Sequence, residues 1–224
     1  MPVTDLDARR NRPKHYRIPA DTVHGELEAK RSVFISTVGH AVDVAAAQAF
    51  VERVRETYAD ADHNAWAYYI DGGPQGLLGF SDDGEPGGTA GRPMVSIIEG
   101  SGILEIVAVV TRYFGGTKLG TGGLVRAYGG ALRDALARLP TDTMTLHHRA
   151  RFTIDYALYG TLQYLLPRQG VVIEDTSFAD RATIEVAIPY RDLDSVAEEM
   201  RELTNGRVEL QSCIMGQRYV RATT

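Results

Sequence analysis

The chain has 224 residues, of which 44% are hydrophobic and 24% charged; this is a globular composition, long enough for one large domain or two small ones. Its formal net charge is −5, with 15 basic and 18 acidic side chains before Leu146 and 9 and 11 from there on. Neither part is a basic module, so any nucleic-acid contact has to come from a local patch. The single cysteine, Cys213, excludes an intramolecular disulfide and a thiolate metal cluster within one chain.

The N-terminal stretch MPVTDLDARRNRPKH is polar and carries no apolar signal core. No apolar run reaches the length of a membrane span, so the expectation is a cytoplasmic protein with no transmembrane segment and no membrane partner. Residues 1–13 are expected to form a flexible tail. Two strands joined by a turn are predicted between Tyr16 and Ala41. A helix from Asp43 to Tyr58 follows, with Val44, Ala47, Val51, Val54 and Tyr58 on one face. Asp43 is its N-cap, since its carboxylate can accept from the open N–H groups of the first turn. Ala65 to Ile70 reads as a strand ended by Gly72, Gly73 and Pro74, and Leu77 to Phe80 as a short second one. A long loop, Ser81 to Pro93, leads to a helix over Met94–Glu99, started by Pro93 and closed by Gly100. The run IVAVV at Ile106–Val110 predicts a fully buried, central strand. After a second Gly-rich loop, Gly115–Gly123, a helix is expected over Leu124–Leu139, with Leu124, Tyr128, Ala131, Leu132 and Ala135 inward.

Pro140 breaks this helix, and residues 141–149 are expected to be a linker. Beyond it lies a weak internal repeat. RFTIDY (Arg151–Tyr156) and RATIEV (Arg181–Val186) are each followed by a helical pattern and then by Gly and a β-rich run. The first helix carries Leu158, Leu162, Leu165 and Leu166, the second Leu193, Val196, Met200 and Leu203. Strand–helix–strand repeated twice predicts a ferredoxin-like βαββαβ domain over 150–224, with both helices on one face of a four-stranded sheet. The fold class is therefore α+β with two domains, 14–140 and 150–224.

Two loops of the first half concentrate unusual residues. FSDDGEPGGTAGRP (Phe80–Pro93) carries Asp82, Asp83 and Glu85 with Thr89 and Arg92. These carboxylates suit a divalent cation or a basic partner side chain, or they cap local N–H groups in a solvated turn. RYFGGTKLGTGGLVRAYGG (Arg112–Gly130) carries a strand into glycines and the glycines into a helix start. Unshielded N–H groups and the positive helix end make an anion site, with Arg112, Lys118 and Arg126 adding charge around Gly115, Gly116, Gly120, Gly122 and Gly123. The alternative is tight packing of strand on helix. It is not a Walker loop, because Leu follows Lys118. Asp60, Asp62 and His63 read as surface polarity on a turn, and His147 and His148 as solvated linker residues. Cys213 reads as a small buried side chain in a strand, and Trp66 and Tyr68 as core. Neither loop contains a histidine to activate Ser81 or Thr89, so no catalytic residue, metal site or cofactor is assigned.

The two loops, with KRSVFIS (Lys30–Ser36) and DADHNAWAY (Asp60–Tyr68), resemble the signature of the IMPACT/YigZ family. The resemblance is strong over Tyr16–Leu139 and weaker beyond. It implies an IMPACT-type first domain like the second domain of a small-subunit ribosomal protein and parts of elongation factor G. It also implies a ferredoxin-like second domain similar to the last domains of elongation factor G. The site departs from the family only at Gly87, where relatives often carry another small residue. The implied function is a non-enzymatic binding or regulatory protein linked to translation, whose partner is a ribosome, RNA or a translation factor. Two alternatives stand beside it: an enzyme or sensor for a phosphorylated small molecule at the Gly-rich loop, and a protein-binding regulator without nucleic-acid contact.

Overall fold

A computed structural model describes residues 13–70 and 76–222. The expected tail lies outside them except for Pro13, as do Gly72, Gly73 and Pro74, expected to end a strand. The chain divides into two compact units, one reaching Thr143 and the other Met144–Ala222.

In the first unit the elements run β1 (His15–Pro19), β2 (Val23–Ala29), β3 (Ser32–His40), α1 (Val44–Thr57), β4 (His63–Ile70), β5 (Leu77–Ser81), α2 (Gly91–Ser101), β6 (Ile106–Tyr113) and α3 (Thr121–Leu136). The sheet order is β2-β3-β6-β4-β5, and each of these pairings is antiparallel. β6 is central, and its period-two alternation divides it between two cores. Ile106, Ala108 and Val110 pack with Met94 and Ile98 of α2 and Tyr128 and Leu132 of α3. Val107 and Val109 pack with Ala47, Phe50, Val51 and Val54 of α1. That two-sided burial is why the run IVAVV has no polar alternation.

α1 matches its expected span, and the Asp43 carboxylate accepts from Ala46 N–H at 2.7 Å. Its buried face includes Phe50, which the expected face omitted, while Val44 is only half-buried. α2 starts earlier than expected, at Gly91, and ends at a left-handed Gly102 (φ 66°) rather than at Gly100. Pro93 therefore sits within the first turn, where its missing N–H has no intrahelical role. α3 also starts earlier, at Thr121, so Gly122 and Gly123 belong to its first turn rather than to the loop. The β2–β3 turn is Lys30–Arg31, with φ of 48° and 68°. Two left-handed residues match a tight hairpin to the twist of its strands, at a steric cost for side chains with a Cβ.

The second unit holds most of β7 (Thr141–Ile154), then α4 (Tyr156–Arg168), β8 (Val172–Phe178), β9 (Ala182–Pro189), α5 (Leu193–Leu203) and β10 (Ile214–Ala222). Within this unit β7 pairs with β9 and with β10, and β9 pairs with β8. Phe152, Ile154, Ile184 and Val186 on one face pack with Leu162 and Leu166 of α4 and Val196 and Met200 of α5. On the alternate positions Arg149 and Arg151 pair with Glu185, and Arg149 also with Glu174. Both helices thus cover the apolar face, and ion pairs occupy the other.

Residues 141–149 are not a linker. They form the first part of β7, and His147 and His148 pair with Pro189 and Ile188 of β9. His147 is buried and His148 half-buried, stacked on Tyr190 at 4.9 Å. Burial pushes the pKa of His148 down, partly opposed by Asp194. Cys213 lies in a short 3-10 turn rather than a strand and is half-buried. Among the described residues, no helix is long and apolar enough to cross a membrane.

Candidate functional site

The register of the central strands fixes the site. β4 and β6 run antiparallel with His63 opposite Arg112, and β3 places Phe34 opposite Arg112 on the other side. The Asp82–Glu85 turn lies over this end of the sheet. Asp83 and Gly84 both have positive φ, 47° and 85°, which reverses the chain within a few residues and sends Glu85 inward.

Glu85 and Arg112 are 7% and 6% exposed, and their charges meet there. Arg112 Nη1 donates to Glu85 Oε1 at 2.7 Å, and Tyr128 Oη donates to the same oxygen at 2.8 Å. The guanidinium lies over the rings of Phe34 and Phe114, 5.6 and 5.4 Å from their centroids. Burial, and then the adjacent Glu85 carboxylate, push the Tyr128 phenol far above its ordinary range. Tyr128 therefore remains a donor at every working pH. A buried ion pair of this kind is held by its geometry, since each charge has lost its water.

The other two carboxylates of the acidic loop are also engaged from within. Asp82 Oδ1 accepts from Ala90 and Gly91 N–H, each at 2.9 Å, and Oδ2 from Gly88 N–H at 2.7 Å. Asp82 thereby caps α2 from eight and nine residues upstream, which explains the early start of that helix. Burial pushes its pKa up, but these three N–H donors outweigh burial and leave it lowered. Asp83 accepts from Arg55 Nη2 and from Asn64 N–H, both at 2.7 Å. Thr89 is buried, its hydroxyl donating to Pro86 O at 2.6 Å. Among the described residues, no three His, Cys, Asp or Glu side chains converge as metal ligands.

The second loop closes over the β2–β3 turn. Gly115 N–H donates to Ser32 Oγ at 3.1 Å, and a Cβ on Gly115 would stand 2.0 Å from the Arg31 carbonyl. Only glycine lets the loop pass the left-handed β2–β3 turn this closely. α3 then starts at Gly120 (φ 75°) without a side-chain cap. Between the loops lies a pocket of about 460 Å³ whose walls include His63, Glu85, Arg112, Phe114, Lys118 and Thr121. The structure thus brings the acidic loop and the Gly-rich loop into one site.

The expected site residues divide sharply within it. Arg112 is internal, its charge matched by Glu85. Lys118 is exposed and lines the pocket, next to Gly120 and the first turn of α3. Gly116 has φ 81° and open space around it. Arg126 is on the exposed side of α3 and Arg92 on α2, and neither lines the pocket. Sequence reasoning missed His63, Tyr128 and Ser32. Asp60 and Asp62, by contrast, brace the turn into β4: Asp60 accepts from Tyr113 Oη and Asp62 from Phe114 N–H, both at 2.7 Å. His63 Nδ1 lies 2.8 Å from the Asp83 carbonyl, which only accepts, so Nδ1 carries the proton. Nε2 is left 4.0 Å from Glu85 Oε2. The histidine comes from β4, not from either loop, and only strand register could have placed it.

Two α+β units, the first holding a pocket between an acidic turn and a Gly-rich helix start, define the class of protein. Residues 30–136 match the Impact N-terminal domain, and residues 152–207 match a domain of unknown function, DUF1949. The chain is 40% identical over 195 residues to the IMPACT family member YigZ of Escherichia coli, covering 86% of this chain and 95% of that one. It is 36% identical over 203 residues to an IMPACT family member of Haemophilus influenzae, covering 90% and 98%. YvyE of Bacillus subtilis is 31% identical over 186 residues, covering 83% and 85%. A crystal structure described only as that of a hypothetical protein superposes with a TM-score of 0.64 at 35% identity, covering 95% of this chain and 99% of that one. The chain belongs to the IMPACT family.

Proposed function

We propose that this chain is a non-enzymatic cytoplasmic binding protein linked to translation, which meets RNA phosphate, free or within a ribosomal particle, at the Gly115–Gly123 loop. The observation that carries this reading is the start of α3. It has no side-chain cap, its first turn is Thr-Gly-Gly, and Lys118 stands beside it on the pocket wall. The first N–H groups of a helix have no partner within it and attract anions. The carboxylates of the acidic loop across the pocket are engaged by Arg112, Arg55, Tyr128 and backbone N–H groups. Kinship with elongation factor G domains, a ribosomal-protein-like domain over 14–140 and a ferredoxin-like domain over 150–224 belong to the same reading. The pairing of β7 with both β9 and β10 and of β9 with β8, with both helices on one face, supports the ferredoxin-like assignment.

Sedimentation of lysate on sucrose gradients at low and moderate salt tests this. Co-migration with ribosomal particles is expected at low salt. It should weaken as salt rises, because phosphate contacts release counterions, and be lost in the Lys118→Ala, Arg126→Ala double variant. Migration at the top of the gradient at both salts would overturn the proposal.

A second reading, a site for a phosphorylated small molecule, is favoured by His63, whose Nε2 lies 4.0 Å from Glu85 Oε2 on the wall of a pocket of about 460 Å³. A nucleotide and sugar-phosphate thermal-shift screen separates the two. A ligand at about 100 times its Kd adds about 2.7 kcal/mol, whereas the RNA reading expects no stabilisation by any of them.

A further inference from the structure

A second concave surface lies in the first unit, between α2 and α3. It is an open trough of about 870 Å³, and its lining contains Arg17, Arg92 and Arg133 and no acidic side chain. The chain as a whole carries 29 acidic against 24 basic side chains, so a trough with three arginines and no carboxylate stands out against its own surface. All three arginines are exposed. Arg17 is held in place by donating from Nη2 to the Ser101 carbonyl at the end of α2, at 2.7 Å.

The floor between the arginines is apolar, formed by Ile97, Ile103, Val125 and Leu136. Its depth comes from residues without bulk. At Gly129 of α3 a Cβ would stand 3.1 Å from Ile97 Cδ1, and at Gly100 of α2 nothing lies within 4 Å. The trough is flanked by the 11-residue α2, a length of roughly 16 Å or three helical turns.

We infer that this trough is a docking groove for an acidic amphipathic helix of a partner protein. Its apolar side chains would lie on Ile97, Val125 and Leu136, and its carboxylates would pair with Arg17, Arg92 and Arg133. An amphipathic helix lays one apolar stripe into such a groove, with charged positions on either side. The arginine forks suit carboxylates along the rims. The lining disfavours single-stranded nucleic acid, because it offers no aromatic ring on which a base could stack. It also disfavours duplex phosphate, which would leave the apolar floor uncovered. The inference is independent of the Lys118 site.

The test is fluorescence anisotropy of the full chain with three labelled probes: a helix-forming peptide with Leu in one stripe and Glu on its flanks, the same peptide with Lys for Glu, and an oligouridylate. The Leu/Glu peptide is expected to bind, more weakly as salt rises. Arg92→Glu with Arg133→Glu should weaken it about tenfold or more, since two attractive pairs become repulsive. Both positions are exposed, and an unchanged circular-dichroism melt shows that the fold is kept. Lys118→Ala should leave peptide binding unchanged, so failure of the RNA reading and failure of this one are distinguishable. The groove assignment is overturned if the Leu/Glu peptide does not bind, or binds the double variant equally well. Equal binding of the Leu/Lys peptide would reduce it to apolar adhesion. Oligouridylate binding that depends on Arg92 and Arg133 would replace the helix with a nucleic acid.

Discussion

Glu85 accepts from two donors at a single oxygen, Arg112 Nη1 and Tyr128 Oη, and all three side chains are buried. Glu85→Gln leaves the buried Arg112 charge uncompensated, and a loss of roughly 3–5 kcal/mol is expected in urea denaturation. The double variant Glu85→Gln, Arg112→Met removes both charges and should cost less than the sum of the two single changes. Additive losses would show that the pair is not coupled. Asp82 gives the pH dependence. Its folded pKa lies below the ordinary 3.8, so its stabilising effect is present above that value and is lost as the pH falls through the folded pKa. Asp82→Ala should therefore cost about 1–2 kcal/mol at neutral pH, as loss of a helix cap does. The gap to the parent should narrow as the medium is acidified below 3.8. A gap that is constant with pH would rule out the carboxylate as its origin. The residue types of this site were legible: three carboxylates and one arginine in Gly-rich loops signalled chemistry. Which carboxylate turns inward was not, because that is decided by where the chain reversal at Asp83 and Gly84 points each of Asp82, Asp83 and Glu85.

Among the elements, the two Gly-rich loops respond differently to a methyl group. Gly115 passes the Arg31 carbonyl so closely that a Cβ would stand at 2.0 Å, whereas Gly87 has nothing within 4 Å. Gly115→Ala is expected to cost at least about 2 kcal/mol and to disturb the Lys118 site with it. Gly87→Ala should fall within about 0.5 kcal/mol of the parent. Paired thermal melts check both, and equal effects would show that loop approach does not set the cost. The same close approach holds the left-handed Lys30–Arg31 turn beneath the loop, a conformation that KRSVFIS does not reveal on its own. The start of α2 is a comparable case. Local pattern places it at Pro93, since proline suits the beginning of a helix, but the Asp82 carboxylate supplies acceptors for the N–H groups of Ala90 and Gly91. The helix is extended by a cap that comes from outside it.

Each of the two units has its own apolar core, and β7 is where the boundary matters. Its pairing with β9 already begins at His147 and Pro189. A fragment of residues 144–222 keeps this pairing, whereas one starting at residue 150 loses the pairs of His147, His148 and Arg149. The shorter fragment is expected to melt at a lower temperature by far-ultraviolet circular dichroism. Equal melting would mean that this end of β7 contributes nothing to the unit.

The sequence by itself determined the α+β class, the span of α1, the buried central strand, the repeat in the second half and the family. These rest on local periodicity and on turn and loop residues, which act over a few positions. Only the tertiary structure decided which groups share a site. Antiparallel register sets His63 opposite Arg112, the 82–85 turn lowers Glu85 onto Arg112 and Tyr128, and the packing of α2 beside α3 gathers Arg17, Arg92 and Arg133 along one trough. Such juxtapositions join residues tens of positions apart. They follow from strand pairing and close packing summed over the whole unit, which no short stretch of the chain contains.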